Sequence, residues 1–491
     1  MRYHSTRGES LTTSKQTILQ GMASDGGLFV PENIPHVDAD FIQGLVGKPY
    51  ETVAAEILRL YLTDYTDAEL KQCAQEAYAS GTFDNVHRAP LRTVGDMQIL
   101  ELWHGPTSAF KDMALQILPR LLSLALATEK NAKDVLILVA TSGDTGKAAL
   151  AGFQDVPHIK ILVFYPAGGV AAMQKLQMVT QAGQNVAVCA VRGNFDDAQA
   201  GVKAIFHDAV FQKTLPNVSL SSANSINWGR LVPQIVYYFT AYTTLLAEER
   251  MQMGTEVNFT VPTGNFGDIL AGYYAKQMGL PVGKLICAAN RNDVLKDFLQ
   301  TGIYDRRRAF YKTLSPSMDI LVSSNLERLL WHVTQDVKQV RTWMEDLKQA
   351  GHFQVDAQTL QAIQKDFATG SADDVATSAQ IAEVYRQYAY VIDPHTAVAW
   401  KVAANYRMQT KDNRPMVILS TASPYKFCAS VLQALGEKAD GEPFELLDAL
   451  AQKNPTPVPR GLANLRTATE RFTEVVAKED MRTVVRDFAS K

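Results

Sequence analysis

The sequence contains few cysteines, and they follow no recognisable spacing. Four cysteines occur in 491 residues, at Cys73, Cys189, Cys287 and Cys428. A disulfide framework needs a regular set of paired cysteines and a zinc site needs motifs such as C-x-x-C, and neither pattern is present. We therefore expect reduced thiols, no metal site and a cytoplasmic protein, because intracellular thiols stay reduced.

Long apolar runs and surplus charge are also missing. No stretch of about 18 consecutive apolar residues occurs, so we expect no membrane span. The first residues, MRYHSTRGES, lack the apolar core of a signal peptide. The 48 Lys and Arg residues nearly balance the 51 Asp and Glu residues, for a net charge of −3. This balance gives no sign of a nucleic-acid partner.

The chain does have a regular alternation of short apolar runs and amphipathic stretches. The runs are VLILVAT at 135, KILVFYP at 160, NVAVCAV at 185, VNFTVPT at 257, KLICAAN at 284 and PMVILST at 415. Runs of this length, spaced for crossover helices, predict an α/β fold with two mainly parallel, helix-covered sheet domains.

The distribution of the runs also predicts the domain organisation. Residues 1–92 have mostly helical patterns, and residues 135–225 form a small α/β domain. Residues 93–134 and 226–491 form a large α/β domain. Within it we expect a helical insertion without strands at about residues 295–390, where polar amphipathic patterns dominate.

Two of the apolar runs end in glycine-rich turns that suit anion binding. VLILVAT leads into SGDTGK, which contains Gly143, Asp144 and Thr145, and VNFTVPT leads into GNFGD at 264–268. Backbone N–H groups at such helix starts bind anions. The alternative is a pair of simple turns, the first capped by Asp144 or Thr145. The spacing excludes a P-loop in the first turn and disfavours NAD at the second.

Lys111 lies in WHGPTSAFKDMALQ at 103–116, a segment whose helical pattern is otherwise apolar. One interpretation is a surface lysine with its stem on apolar neighbours. The other is an amine whose pKa is lowered by burial, which makes it a nucleophile towards aldehydes. A sheltered amine and two anion-binding turns predict a cofactor with both a carbonyl and a phosphate group. Pyridoxal phosphate meets that description.

Three further polar residues are candidates for the site. Arg230, after NSINWG, opens an apolar helix and is a possible bidentate anchor for a carboxylate or a phosphate. His104 and His395 have no partner visible in the sequence, which favours structural roles.

Several long segments match one protein family in the same order along the chain. They are DGGLFVPE, HGPTSAFKDMALQ, ATSGDTGKAAL, RGNFDDAQ, NSINWGRLVPQIVYYF, PTGNFGDILAGYYAK, LSPSMDILVSSNLERLL, DPHTAVA and STASPYKF. On these segments the chain resembles the threonine synthases, in the longer branch found in many bacteria and fungi. The resemblance implies the tryptophan-synthase-like fold of pyridoxal-phosphate enzymes and a monomer.

The resemblance also implies an activity and a set of site residues. Family members convert O-phospho-L-homoserine and water to L-threonine and phosphate. Lys111 would hold the cofactor covalently, with Phe110 near its ring and Thr421 at its pyridine nitrogen. The cofactor phosphate would be held by Gly264, Asn265, Phe266, Gly267 and Asp268. The substrate would be contacted by Ser142, Gly143, Asp144, Thr145, Lys147 and Arg230.

The last motif departs from the family pattern, STAHP-A-KF, at Ser423 and Tyr425. This departure leaves fine specificity open, and a phospholyase that releases 2-oxobutyrate from the same substrate is the alternative activity. A cofactor-free binding protein on the same fold is disfavoured, because Lys111 and the GNFGD turn are both intact.

Overall fold

All six apolar runs form strands, as predicted, and they divide between two sheets. The computed structural model describes residues 1–129, 133–141, 143–168, 170–215 and 217–490. The strands in these residues are β1 (Tyr3–Ser5), β2 (Phe29–Pro31), β3 (Leu91–Val94), β4 (Met97–Glu101), β5 (Asp134–Ala140), β6 (Ile159–Pro166), β7 (Val186–Val191), β8 (Val218–Ser221), β9 (Val257–Pro262), β10 (Val282–Ala289), β11 (Ile303–Asp305), β12 (His352–Gln354), β13 (Phe367–Ser371), β14 (Met416–Ser420) and β15 (Val475–Val476).

Helices cover both sheets and form the N-terminal part of the chain. They are α1 (Ser14–Gln20), α2 (Ala39–Leu45), α3 (Tyr50–Tyr61), α4 (Asp67–Ala77), α5 (Asp112–Leu115), α6 (Leu118–Leu126), α7 (Asp144–Phe153), α8 (Ala172–Val179), α9 (Phe195–His207), α10 (Ala209–Lys213), α11 (Trp228–Leu231), α12 (Ile235–Ala247), α13 (Gly267–Gln277), α14 (Val294–Thr301), α15 (Leu326–Thr334), α16 (Val337–Gln349), α17 (Ala357–Asp366), α18 (Asp374–Tyr388), α19 (Pro394–Thr410), α20 (Cys428–Ala434), α21 (Pro443–Ala451), α22 (Arg460–Ala463) and α23 (Met481–Ser490). Among the described residues, none of these helices is both long enough and apolar enough to cross a membrane.

The larger sheet has the strand order β13-β10-β9-β14-β4-β3. Neighbouring strands are parallel from β13 to β4, and β3 pairs antiparallel with β4 at one edge. In the middle of the sheet, Ile418 of β14 lies between Thr260 of β9 and Ile99 of β4. Because parallel strands end at the same side of a sheet, the segments that follow β4, β9 and β14 meet there.

The smaller sheet is parallel throughout, in the order β15-β7-β6-β5-β8. Its central strands β5, β6 and β7 are buried on both faces, which explains their nearly continuous apolar sequences. One face, with Ile137 and Val163, belongs to the main core of the molecule. The other face, with Leu138 and Leu162, forms a separate apolar cluster that includes Met481.

The C-terminal segment joins the smaller sheet, contrary to the expected assignment of residues 226–491 to the large domain. Val475 of β15 pairs with Ala190 of β7, and α23 packs on the same sheet. A two-residue strand in a polar segment has no periodic signal, so sequence patterns do not detect it.

Residues 295–390 contain strands, so the prediction of an insertion without strands is wrong. β11 and β12 form a short antiparallel pair, and β13 extends the larger sheet by pairing with β10. The sequence of β13, FATGS, has little apolar character and only its first residue is buried. Backbone pairing at the sheet edge, rather than side-chain burial, therefore defines this strand.

Aromatic packing fixes the N-terminal region to the helices that flank the larger sheet. Trp228 is fully buried, and its ring lies 5.5 Å from those of Tyr3 and Tyr61 and 5.3 Å from that of Tyr274. Aromatic contacts of this kind bury large apolar areas. The N-terminal segment is thus packed against α11 and α13, two helices near the carboxyl ends of the central strands.

Candidate active site

Lys111 lies immediately before α5, ten residues after the end of β4. The preceding loop rests on the segment after β14: the N–H of Phe110 donates to the carbonyl of Thr421 at 2.8 Å, and the N–H of Ser423 donates to the carbonyl of Ser108 at 3.1 Å. These two bonds place the lysine at the carboxyl end of the larger sheet, which is where ligands of such sheets bind.

The surroundings of Lys111 make its amine a nucleophile near neutral pH. Burial lowers its pKa to about 8, the charge of Asp144 opposes this, and the charges of Lys426 and Arg230 add to it. The Nζ atom lies 4.7 Å from the centre of the Phe110 ring. An amine with this pKa is partly unprotonated at pH 7, so it can attack an aldehyde.

Asp112, beside Lys111, has a structural role. Its two carboxylate oxygens accept hydrogen bonds from the backbone N–H of Thr107 at 2.8 Å and from the Thr107 hydroxyl at 2.7 Å. Burial raises its pKa to about 6, although the bonds from Thr107 oppose the shift. The carboxylate thus fixes the turn that leads into the lysine segment.

The GNFGD turn joins β9 to α13 and has the geometry of an anion-binding loop. Phe266 adopts a left-handed φ of 64° just before the helix begins at Gly267. The backbone at Gly264 is crowded, since a Cβ atom there would lie 2.7 Å from the carbonyl of Ser317. The first N–H groups of α13 have no acceptor inside the helix and are directed towards the turn.

The side chains of this turn are directed mostly into the core. Phe266 is buried, with its ring 5.6 Å from that of Phe367. Asp268 Oδ1 accepts hydrogen bonds from the hydroxyls of Tyr237 at 2.6 Å and Tyr238 at 3.1 Å, and burial raises the Asp268 pKa to about 7. Asn265 is exposed. The turn therefore offers backbone groups, rather than charged side chains, to a phosphate.

Thr421 follows β14 and is buried beside the Lys111 loop. The last residue of the strand, Ser420, is held by two neighbours: its hydroxyl accepts hydrogen bonds from the Trp103 indole at 3.0 Å and from the Thr396 hydroxyl at 2.9 Å. The position next to the lysine is therefore occupied by a neutral hydroxyl residue on a fixed strand end.

The turn after β5 forms a second wall of the site. Gly143 has a φ of 153°, and a Cβ atom there would lie 2.6 Å from the Gln174 side chain. The alternative interpretation as a simple turn expects a cap by Asp144 or Thr145, but the hydroxyl of Thr141 accepts hydrogen bonds from the N–H groups of Gly143 and Gly146 instead, both at 3.0 Å. Thr145 is half-buried in the first turn of α7. The predicted substrate residue Ser142 lies outside the described residues.

Asp144 forms an ion pair that connects the two sheets. Its Oδ1 lies 2.5 Å from Nζ of Lys426, a residue of the turn after β14, and accepts a hydrogen bond from the Gln174 amide at 2.8 Å. Burial would raise the Asp144 pKa, but the charges of Lys426 and Lys111 outweigh it and hold that pKa far below its ordinary value. The carboxylate is therefore ionised and already paired.

Arg230 and Lys147 are two further basic groups of the candidate site, and each has a neutral partner. Arg230 is buried and donates to the carbonyl of Ala223, while its Nε has no partner within the described residues. Lys147 donates to the Gln181 side chain. Burial lowers the pKa of Arg230 to about 10 and that of Lys147 to about 8. The charge of Arg230 is among those that lower the Lys111 pKa.

The structure adds Ser317 to the site, a residue for which sequence patterns predict no role. Its hydroxyl lies 3.4 Å from Asp144 Oδ2, and its N–H donates to Nε2 of His395 at 3.2 Å. Nδ1 of His395 lies 2.6 Å from the carboxylate of Asp393. The histidine thus holds the backbone of the LSPSMD segment against the GNFGD turn. That segment was a recognised motif, but its partners are distant in sequence.

His104 also has structural partners, as expected. Its Nδ1 lies 2.8 Å from Asp84 and its Nε2 lies 2.9 Å from Glu101. Burial lowers the His104 pKa, but the bonds to Asp84 and Glu101 outweigh it and leave the pKa raised.

The residues present fit a cofactor with an aldehyde and a phosphate group. A low-pKa amine, an anion-binding helix start and a buried neutral hydroxyl residue converge at the carboxyl ends of β4, β9 and β14. The crowding at Gly264 also explains why this turn requires glycine. Fold and site together define the class: an α/β enzyme that uses pyridoxal phosphate.

Comparison with known proteins identifies the family within that class. Family models described as threonine synthase N terminus, pyridoxal-phosphate dependent enzyme and threonine synthase C-terminal match residues 2–78, 99–422 and 396–487. The chain belongs to the threonine synthase family. It is a pyridoxal-phosphate-dependent lyase with the fold of that family.

Individual relatives support this assignment along the whole chain. Threonine synthase of Pseudomonas aeruginosa is 42% identical over 95% of this chain and 97% of its own. The Saccharomyces cerevisiae enzyme is 40% identical over 88% of this chain and 89% of its own. A crystal structure of pyridoxal-phosphate-bound threonine synthase from Brucella melitensis has a TM-score of 0.89 and 39% identity, with 100% of both chains covered.

Proposed function

We propose that the protein converts O-phospho-L-homoserine and water into L-threonine and inorganic phosphate. The observation that supports it most directly is the position of Lys111, whose pKa is lowered to about 8 between a phosphate-binding turn and a cluster of cations. A buried lysine alone would fit many pyridoxal-phosphate enzymes. The additional cations fit a substrate that has its own phosphate group.

We assign the cofactor to the larger sheet. Lys111 would hold its aldehyde carbon, the backbone of the turn Gly264–Asp268 would bind its phosphate, and Thr421 would face its pyridine nitrogen. Phe110 would pack beside the ring. When bound, pyridoxal phosphate supplies the electron-withdrawing ring that carbanion chemistry requires.

Lys111 would also move the protons of the reaction. Its unprotonated Nζ can take the proton from the α-carbon of the substrate, and the ammonium group so formed can return a proton to the γ-carbon. The bond between the γ-carbon and the phosphate oxygen breaks, and the hydroxyl of a water molecule adds at the β-carbon. Three protons are released, one each from the α-carbon, the β-carbon and the water, and three are taken up, one each by the γ-carbon, the α-carbon and the departing phosphate, so the atoms balance as threonine and hydrogen phosphate.

The phosphate of the substrate would lie among the cations between the two sheets. Arg230 offers the unpartnered Nε, and Lys147 lies on the same side as the SGDTG turn. Gly143, Thr145 and Ser142 remain candidates for backbone or hydroxyl contacts to the substrate. A low-dielectric setting strengthens such contacts because little water competes with them.

The test combines a spectrum with product analysis. Purified protein with pyridoxal phosphate is expected to show a visible absorbance band and to release threonine and phosphate from O-phospho-L-homoserine. Lys111→Ala should lose the band and the activity, whereas Lys338→Ala, which removes an exposed lysine from the remote helix α16, should keep both. Release of 2-oxobutyrate instead of threonine would replace the synthase with the phospholyase.

The departures at Ser423 and Tyr425 are the reason for keeping the phospholyase as an outcome. The Tyr425 hydroxyl donates to the carbonyl of Thr456 at 2.7 Å, in the direction of the C-terminal helices. The Ser423 hydroxyl accepts the N–H of Tyr425 at 3.4 Å. The Tyr425 side chain therefore has a partner remote in sequence, whereas Ser423 caps the short turn that carries Lys426.

We also propose that the protein acts in the cytoplasm, as a monomer with two α/β units. The four cysteines are buried free thiols, which suits a reducing compartment. Light scattering coupled to size exclusion would test the monomer: a mass of about twice 54.1 kDa would contradict it.

A further inference from the structure

Lys426 is a completely buried lysine to which neither the cofactor nor the proton transfers assign a role. It lies in the short turn Pro424–Phe427 that follows β14, and its side chain is 0% exposed. Its Nζ lies 2.5 Å from Asp144 Oδ1 and donates to the carbonyl of Thr107 at 3.0 Å. A lysine is almost never fully buried unless it is paired or bound to something.

Within the described residues, the geometry leaves one N–H donor of this ammonium group without an acceptor. A lysine ammonium has three N–H bonds. Asp144 and the Thr107 carbonyl account for two of them. The third N–H is buried, and a buried donor without an acceptor costs free energy. Arg230 Nε is a second buried donor without a partner in the described part of the chain.

The charges around Lys426 also lack a counter-ion. The basic groups of this site are Lys111, Lys147, Arg230 and Lys426, and its acidic groups are Asp112, Asp144 and Asp268. The buried basic groups thus outnumber the acidic ones. A buried excess of this kind is unfavourable unless an anion is bound. A phosphate group supplies the opposite charge.

Lys426 lies at the centre of this group rather than at its margin. Its charge acts on Lys111, Asp112, Asp144 and Lys147 alike. Lys147, by contrast, already has the side-chain oxygen of Gln181 as its acceptor. Lys426 also lies beside the Lys111 loop, because it donates to the carbonyl of Thr107.

We infer that Lys426 binds the phosphate group of the substrate, and that Asp144 orients its ammonium group instead of contacting the substrate. This inference rests on the proposed function, because it is the substrate phosphate that Lys426 would hold. Asp144 comes from the smaller sheet and Lys426 from the turn after the larger sheet. The ion pair therefore also positions one sheet against the other where the substrate binds.

The test measures phosphate binding to the holoenzyme, in which the cofactor already fills the GNFGD turn. Calorimetry with inorganic phosphate is carried out on the wild type, on Lys426→Met and on the double variant Lys426→Met/Asp144→Asn. The double variant removes both charges of the pair, which avoids an uncompensated buried carboxylate and protects folding. Thermal unfolding and the cofactor absorbance band verify that the variants are folded and loaded.

Both variants are expected to bind phosphate roughly 10- to 100-fold more weakly than the wild type, which is the usual effect of losing one charged hydrogen bond. The KM for O-phospho-L-homoserine should rise by a similar factor. A matched control is Lys276→Met/Asp366→Asn, which removes a 2.9 Å ion pair whose lysine also donates to a backbone carbonyl. Its phosphate affinity should equal that of the wild type.

Phosphate binding by the double variant at wild-type strength would overturn the inference, because Lys426 would then serve only to neutralise Asp144. If both variants fail to fold, a crystal structure of the wild-type holoenzyme in phosphate decides: phosphate at Lys426 Nζ supports the inference, and phosphate elsewhere in the site contradicts it. Absence of threonine from the wild type would reject the proposed function, while the phosphate comparison would still report on Lys426.

Discussion

The lowered pKa of Lys111 predicts how the rate of cofactor binding to the cofactor-free protein depends on pH. Only the unprotonated amine attacks an aldehyde, so the rate of pyridoxal phosphate uptake should rise with pH and level off above the Lys111 pKa of about 8. An ordinary lysine, with a pKa of about 10.4, would give a rate that still rises tenfold per pH unit at this point. Stopped-flow appearance of the visible band measures the rate.

The neighbouring charges provide the control for this profile. Arg230 and Lys426 both lower the Lys111 pKa. Arg230→Ala should therefore move the midpoint of the profile to higher pH, whereas Lys338→Ala should leave it in place. A wild-type rate that keeps rising into strongly alkaline solution would show that the amine is not perturbed.

At the scale of residues, the sequence identified the groups whose signal is local. Lys111 was predicted because an amine interrupts an apolar helical pattern. Lys426 and Ser317 were missed because the groups that define them are remote: Thr107 is 319 residues from Lys426, and His395 is 78 residues from Ser317. The SGDTG motif led to the prediction that Asp144 contacts the substrate. Nothing in that motif indicates that Asp144 pairs with Lys426.

The GNFGD turn carries a prediction at the scale of elements. Gly264→Ala places a Cβ atom 2.7 Å from the Ser317 carbonyl, so backbone must move. A cost of about 1–3 kcal/mol in unfolding free energy is typical of such overpacking. Gly267→Ala is the matched control, since its Cβ would have its nearest neighbour at 3.4 Å and alanine favours a helix start over glycine. Thermal unfolding of the cofactor-free proteins compares the two.

Equal stability of the two variants would mean that the Ser317 segment moves freely, contrary to its bond with His395. Cofactor affinity adds a second measurement. Gly264→Ala should weaken pyridoxal phosphate binding as well as folding, because the crowded backbone is the part of the turn that would bind the phosphate.

Strands could be predicted where their side chains are buried and their apolar runs span most of the strand. The six apolar runs all became strands for this reason. β13 was missed, because FATGS has too few apolar residues to indicate a strand and is held by pairing with β10. The α7 cap by Asp144 or Thr145, left open as an alternative, is not used, because Asp144 is paired with Lys426 and the Thr141 hydroxyl accepts the N–H of Gly146.

On the scale of the whole molecule, the predicted two-sheet architecture is confirmed, but the path of the chain between the sheets was not predictable. The last strand and helix return to the smaller sheet after the chain has completed the larger one. The N–H of Ala190 donates to the carbonyl of Glu474, and the N–H of Arg192 donates to that of Val476, both within 3.0 Å. Long-range pairing of a polar segment has no counterpart in local sequence patterns.

The apolar cluster under α23 gives the last prediction. Met481 is 1% exposed and packs in a cluster separate from the main core, together with Val202, Ile205 and Val485. Met481→Ala should cost about 2–5 kcal/mol locally, as for other buried methionines. Because this cluster covers one face of the smaller sheet, native-state hydrogen exchange should become faster in β5, β6 and β7 and remain unchanged in β9 and β14.

Met408→Ala provides the comparison, since Met408 is 63% exposed on α19 and its loss should change exchange in neither sheet. Faster exchange confined to the smaller sheet would support two units, with residues 475–490 belonging to the smaller one. An equal increase in both sheets would instead mean that they unfold as one body. The Asp144–Lys426 ion pair, which crosses between the sheets, would then be part of a single cooperative structure, rather than a contact between two separately stable units.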